Sequence, residues 1–284
     1  ASPWGGRAVW AGGYDSSGAP NVIDYVAIAT LGNATDFGDL TSNRNTHGGC
    51  GGGGRGLYMG GNTPSSDSAT IDYITISTPG NALDFGDLTA AKEGAQACSS
   101  GYRGLYMGGN NGGTFYNNID YVTIATTGNA IDFGDLTVAR SYTAALANGV
   151  RGICGGGYPP AMNVMDYVTI ATTGNAADFG DTIGTHWNGA GGSGETRGLF
   201  WGGNTSNVIQ YITIATTGNA TDFGDMLGVF EGHGIGSNNS RALSGGGYKT
   251  PGGHSNIIQY VAIATTGNSV DFGDLTAARG GYIG

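Results

Sequence analysis

The chain has 284 residues, 58 of them Gly, with 11 basic and 21 acidic side chains and a formal net charge of −10. That balance argues against a nucleic-acid or anionic-membrane partner, because phosphate recognition needs a dense basic patch. No apolar run approaches the roughly 18 residues that span a bilayer, so membrane insertion is not expected. A hydrophobic content of 39% is enough for a core, and glycine without a Gly-X-Y period is not collagen. Residues Ala1 to Gly6 carry neither the charged nor the apolar region of a secretory leader. Cys50, Cys98 and Cys154 are expected to be buried thiols.

In chain order the first predicted element is a short apolar run, Arg7 to Ala11, closed by Gly12-Gly13. A longer strand around Tyr25 follows. A Leu31-Gly32-Asn33 turn leads to a strand around Phe37, and the glycine-rich Gly48 to Gly52 precedes the next arginine. The same series then recurs. The tyrosine reappears at Tyr73, Tyr121, Tyr167, Tyr211 and Tyr260, in steps of 48, 48, 46, 44 and 49 residues, and the phenylalanine at Phe85, Phe133, Phe179, Phe223 and Phe272. The opening arginine returns as Arg55, Arg103, Arg151, Arg197 and Arg241.

The third copy is the clearest. Asn118 to Thr126 alternates and is rich in Ile, Val, Thr and Tyr, as a half-buried strand should be. Thr127-Gly128-Asn129 is a tight-turn signal, Ala130 to Leu136 is the partner strand, and Ser141 to Leu146 begins the next unit. No window carries a 3.6-residue apolar period with caps. Four strands every roughly 47 residues is the spacing of propeller blades. The expected fold is all-β: a single domain over residues 1–284, a six-bladed β-propeller of four-stranded antiparallel blades. Ala277 to Ile283 has the phase of a first strand, so the C-terminal segment is expected to pair into the first blade and close the ring.

These residues resemble the kelch repeat: Gly155-Gly156 closing the second strand, Tyr167 in the third and Phe179 in the fourth, then a basic residue opening the next unit. The basic position reads Arg44, Lys92, Arg140, His186, Phe230 and Arg279, so two copies depart from the pattern. The aromatic is Phe where kelch has Trp.

Of the 18 Asp residues, twelve lie in six Asp-Phe-Gly-Asp segments and four, Asp24, Asp72, Asp120 and Asp166, precede the repeat tyrosine, where the last two copies carry Gln210 and Gln259. Carboxylates three apart invite Ca²⁺ binding or glycosidase-type acid–base chemistry. The EF-hand spacing is absent, and six equivalent pairs do not build one pocket. These aspartates are expected to cap turns and to pair with the repeated arginines between blades. The four histidines lack metal-ligand spacing, and His47 and His233 are expected to line the central channel. A propeller sialidase would need three arginines that break the symmetry, and none do. No catalytic residue, metal or cofactor is assigned.

The third-to-fourth turn keeps Gly-Asn in all six copies. The second-to-third loops and the fourth-to-first links vary, and in a four-stranded antiparallel blade both lie at the same end. A scaffold constant at one end and diversified at the other suggests recognition. The candidate binding residues there are Tyr14, Phe115, Tyr116, Tyr158, Trp187, Tyr248 and His254. The unit Thr-Thr-Gly-Asn-Ala-x-Asp-Phe-Gly-Asp is similar to repeats in structural proteins of tailed bacteriophages. That resemblance implies a virion or extracellular protein binding other virion proteins, or a host-surface glycan or protein. A secreted bacterial lectin is the alternative, and a sialidase- or lyase-type enzyme comes third.

Overall fold

The computed structural model describes residues 6–281, which contain no helix. The copy read above forms an antiparallel sheet of four strands in spatial order Gln96–Ser99, Arg103–Met107, Asn118–Thr123, Ile131–Asp135. Four further four-stranded sheets repeat it. Their first and last strands are Gly48–Gly52 and Leu83–Asp87, Ala144–Ala147 and Ala177–Asp181, Ala190–Ser193 and Thr221–Asp225, and Gly234–Ser237 and Val270–Asp274. The first copy, Arg7–Ala11, Val22–Ala27 and Thr35–Asp39, has three strands among the described residues. Among the described residues the expected fourth strand is not seen, and none of Ala277 to Gly281 pairs with Arg7–Ala11. Gly280 makes an isolated antiparallel bridge with Tyr14, and residues 282–284 lie outside the described ones.

Each third strand alternates, with Ile23, Val26 and their equivalents buried on either side of a half-buried tyrosine. Between the third and fourth strands the register shifts once in every copy, as between Ile119 and Asp120. The repeat phenylalanine occupies that bulge. It is buried and meets its tyrosine edge to face at 5.6 to 6.0 Å. The core lies between sheets, and each apolar cluster joins residues of neighbouring copies, as where Leu57 and Phe85 pack with Tyr106 and Val122.

Two sets of contacts join every sheet to the next, and a third joins four of the six. The first is a clasp. Gly80 N–H donates to the Phe37 carbonyl (2.7 Å) and Ala82 N–H to that of Asp39 (2.7 Å), while Asn81 Oδ1 accepts from Asp39 N–H (3.1 Å). A Cβ on Gly38 would sit 2.5 Å from the Gly80 carbonyl, so the Phe-Gly-Asp segment needs glycine at its centre. The second is the repeated arginine, which stacks over its own tyrosine at 4.5 to 4.8 Å. It also donates to a carbonyl of the next copy, Arg55 to Ile124 at 3.0 Å, for example.

The third is a buried ion pair between the link and the following sheet: Arg44–Asp72 (2.8 Å), Lys92–Asp120 (3.0 Å), Arg140–Asp166 (3.0 Å) and Arg279–Asp24 (2.9 Å). The sixth sheet meets the first through the same contacts. Asp274 N–H donates to Asn33 Oδ1, Arg241 to the Ile28 carbonyl, and Arg279 pairs with Asp24.

Two expectations are corrected. The Asp-Phe-Gly-Asp carboxylates do not pair with the repeated arginines, because the first Asp of each segment points outward from an exposed position. The aspartate before the tyrosine is the buried ionic partner instead. Nor do His47 and His233 line the channel. Both are fully buried between sheets, His47 edge-on to Tyr58 at 5.8 Å.

Candidate functional site

The antiparallel order of each sheet sends the second-to-third loops and the links to one end of the strands, and the structure ties them together there. Asn45 bridges Asn62, Glu93 bridges Asn110, and Ser141 bridges Tyr158. Small extra strands stiffen two of these loops, Asn110–Asn111 with Thr114–Phe115, and Tyr248–Thr250 with Gly253–His254.

Six of the seven candidate residues gather into two clusters. In the first, Phe115 lies 6.4 Å from Tyr158, Tyr158 lies 5.9 Å from Trp187 and tilted by 43°, and Trp187 lies 6.5 Å from Tyr142. This row crosses from the third copy to the link before the fifth, and Tyr158 is 43% exposed. In the second, His254 stands between Tyr14 (5.8 Å) and Tyr248 (5.6 Å), both half exposed. Tyr116 joins neither. Its ring lies 5.8 Å from the buried Lys92 ammonium, and its backbone is tied to Gly109 and Arg140. It packs on the link and, like Phe115, is half-buried.

The sequence reading missed Tyr142 and Glu93. Tyr142 belongs to a set with one member per copy: Thr46, Gly94, Tyr142, Asn188, Gly232 and Gly281. All six take positive φ, between 52° and 89°, a conformation that β-branched and bulky residues rarely adopt. What holds them there is a chain of backbone hydrogen bonds from copy to copy. Thr46 N–H donates to the Gly281 carbonyl (2.7 Å), Gly94 to Thr46 (2.8 Å), Tyr142 to Gly94, Asn188 to Tyr142 (3.1 Å) and Gly232 to Asn188 (2.9 Å). Beside this chain of bonds Glu93 accepts from the Thr46 hydroxyl (2.7 Å). Burial, reinforced by the nearby Asp67 charge, raises its pKa above the usual range despite that bond. The signal in the sequence was the position two residues after the basic one, filled by Gly, Thr, Tyr or Asn.

The first strands enclose a cavity of about 740 Å³, lined by backbone and by small side chains including Ala97, Ala145, Ser99, Ser193 and Ser237. Two of the three unpaired thiols, Cys50 and Cys98, also line it. Burial pushes the Cys50 thiol up to about 12 and raises Cys98 and Cys154 as well, which leaves little thiolate for nucleophilic chemistry. Among the described residues no three His, Cys, Asp or Glu side chains come together as metal ligands.

Scans of the chain against protein-family models and against the curated proteins returned no match.

Proposed function

We propose that the chain is a closed six-bladed β-propeller of kelch-like repeats that acts as a non-enzymatic binding module through its variable-loop end. One observation carries this reading. The constant Gly-Asn turns are consumed in clasping one sheet to the next, whereas aromatic side chains at the other end cluster across copies without such a duty. The return of all three intersheet contacts between the sixth and first sheets supports ring closure. The likeness to tailed-phage structural repeats makes the setting a virion, as a tail-tip, fibre or capsid-decorating component, and the partner another virion protein or a host-surface protein or glycan.

The lectin reading is the second. The tilted pair of exposed Tyr158 and half-buried Trp187 favours it, since aromatic faces suit sugar rings. A binding screen on immobilised host-surface glycans and host-cell surface proteins tests both, using the wild type and Trp187→Ala. Loss of a retained partner with unchanged melting supports the variable-loop end. Retention by Trp187→Ala, with loss when Asn129 and Asn175 are replaced, would move the site to the constant turns.

A further inference from the structure

We propose that the cavity inside the first strands is itself a ligand site, opening at the end opposite the variable loops, for a small uncharged molecule with an apolar body and a hydrogen-bonding edge. This is independent of the variable-loop reading.

The cavity has a floor. Its lining takes residues 49–52, 97–99, 145–147, 191–193 and 235–237. It stops short of the positive-φ residues at 46, 94, 142, 188, 232 and 281, where five successive backbone hydrogen bonds draw the copies together. At the other end the lining reaches Gly6, Gly54 and Ser77, all exposed. The turns at that end also carry two of the most exposed apolar side chains, Tyr102 and Val150, 82% and 62% exposed. Among the described residues the space opens at that end, and its volume lies in the range of small-molecule sites.

The lining sets the ligand class. Among the described residues no carboxylate lines it in a chain of net charge −10, and the one charged lining residue is Arg7. Its guanidinium is already committed to the Ile76 carbonyl (2.8 Å) and the Tyr25 ring (4.5 Å). A charged ligand would find no counter-ion. What the walls offer are methyl and methylene groups from Ala8, Val9, Leu146 and Ile235, and the free edges of five strands, each terminal in its sheet. Such edges carry N–H and C=O groups outside the ladder, of which the Ser193 N–H and C=O are already paired with the Ser237 hydroxyl. Ser99 and Ser193 already spend their hydroxyl protons on the Gly51 and Ala147 carbonyls (2.6 Å each), leaving their oxygens as acceptors.

The probe is 1-N-phenylnaphthylamine, uncharged and apolar with one N–H. Its fluorescence is titrated with the folded wild-type protein, and the reaction of Cys50 with methyl methanethiosulfonate is followed by mass spectrometry with and without it. The expected result is saturable binding at one site per chain, at least fivefold slower modification of Cys50 when the probe is bound, and at least tenfold weaker binding in Gly6→Trp. Gly6 lines the mouth, and a Cβ there meets nothing within 4 Å, so that variant is expected to melt like the wild type. Trp187→Ala, at the opposite end, is expected to bind the probe unchanged. Absence of saturable binding would mean that the cavity holds water only and would overturn the proposal. So would saturable binding that leaves Cys50 unprotected and is indifferent to Gly6→Trp.

Discussion

Arg279 and Asp24, near opposite ends of the chain, form a buried ion pair of 2.9 Å, and the Thr276 hydroxyl donates to the same carboxylate at 2.7 Å. The unit is three residues: a threonine and a cation in the link, an aspartate in the sheet that follows. It recurs around Asp72 and Asp166, with Thr41–Arg44 and Thr137–Arg140. Where Gln210 replaces the aspartate, the threonine becomes Ile183 and the cation His186. Where Gln259 does, they become Leu227 and Phe230. The glutamine oxygen keeps one duty, accepting from Ile183 N–H (2.6 Å) or Leu227 N–H (2.8 Å). The three positions have changed together, as the cost of an orphaned buried charge requires.

Asp166→Ala should therefore lose about 3–5 kcal/mol, because Arg140 is left buried without its partner. The exposed Asp132→Ala should stay within about 0.5 kcal/mol of the wild type. The triple change Thr137→Leu, Arg140→Phe, Asp166→Gln copies the neutral unit of the sixth copy and should recover most of the loss. Urea unfolding of the three variants decides this. A triple variant no better than Asp166→Ala would show that the three positions do not act as a unit.

Gly38→Ala tests the clasp. The new methyl meets the Gly80 backbone at 2.5 Å, and φ is +145°, so a loss of about 1–3 kcal/mol is expected. Gly32→Ala, with no atom within 4 Å of its added Cβ, carries only the backbone cost of its own positive φ and should lose less. Equal losses in thermal melts would remove the argument from close approach.

Acid should destabilise the fold through its histidines. Burial lowers His47 and His233 to about 3 and His186 to about 4. The Arg44 and Arg279 charges add to the effect on His47, and His186 adds to that on His233. Because the folded pKa is depressed, the unfolded chain takes up protons first as pH falls. The stability is complete above about 6.5 and drains away towards 3–4, by about 1.4 kcal/mol per pH unit for each histidine. Replacing His47 and His233 by Phe should flatten the fall of unfolding free energy between pH 6.5 and 4 relative to the wild type. Parallel curves would assign the acid sensitivity to other groups.

Tyr116 and Phe115 are neighbours with different expected behaviour. Tyr116→Ala uncovers Lys92 and should lower stability by about 1–2 kcal/mol. Phe115→Ala, in a short hairpin at the loop tip, should leave melting nearly unchanged and weaken binding of a retained partner by about 1 kcal/mol or more. Calorimetry on both variants separates the roles.

The strand series was legible because its signals are local: alternation around Tyr121, Gly-Asn at the turn, Gly-Gly at the strand end. Ala144–Ala147 starts later than the expected Ser141, because Ser141 to Thr143 carry the positive-φ turn at Tyr142 before the strand settles. Partnership was harder to read. Arg44 and Asp72 each stand out as repeated residues, yet their pairing needs the path of the link, which composition does not contain. His47 and His233 were assigned to the channel by phase alone. Phase fixes the position along a strand, but side chains at that position pack between sheets while the first strands line the cavity. The aromatic row follows from where sequence variation falls, and Tyr142 escaped because it falls inside the expected strand Ser141 to Leu146.

The joint between the sixth and first sheets has one further consequence. Its hydrogen bonds and its ion pair are made across a gap with no peptide linkage, so a second copy's first sheet offers the same complement. What keeps the union within one molecule is effective concentration, set by the tether of the intervening sheets. Refolding at low protein concentration should therefore yield monomers. Refolding at high concentration should let late strands find early ones on another chain, and that head-to-tail contact can propagate because it is not self-complementary.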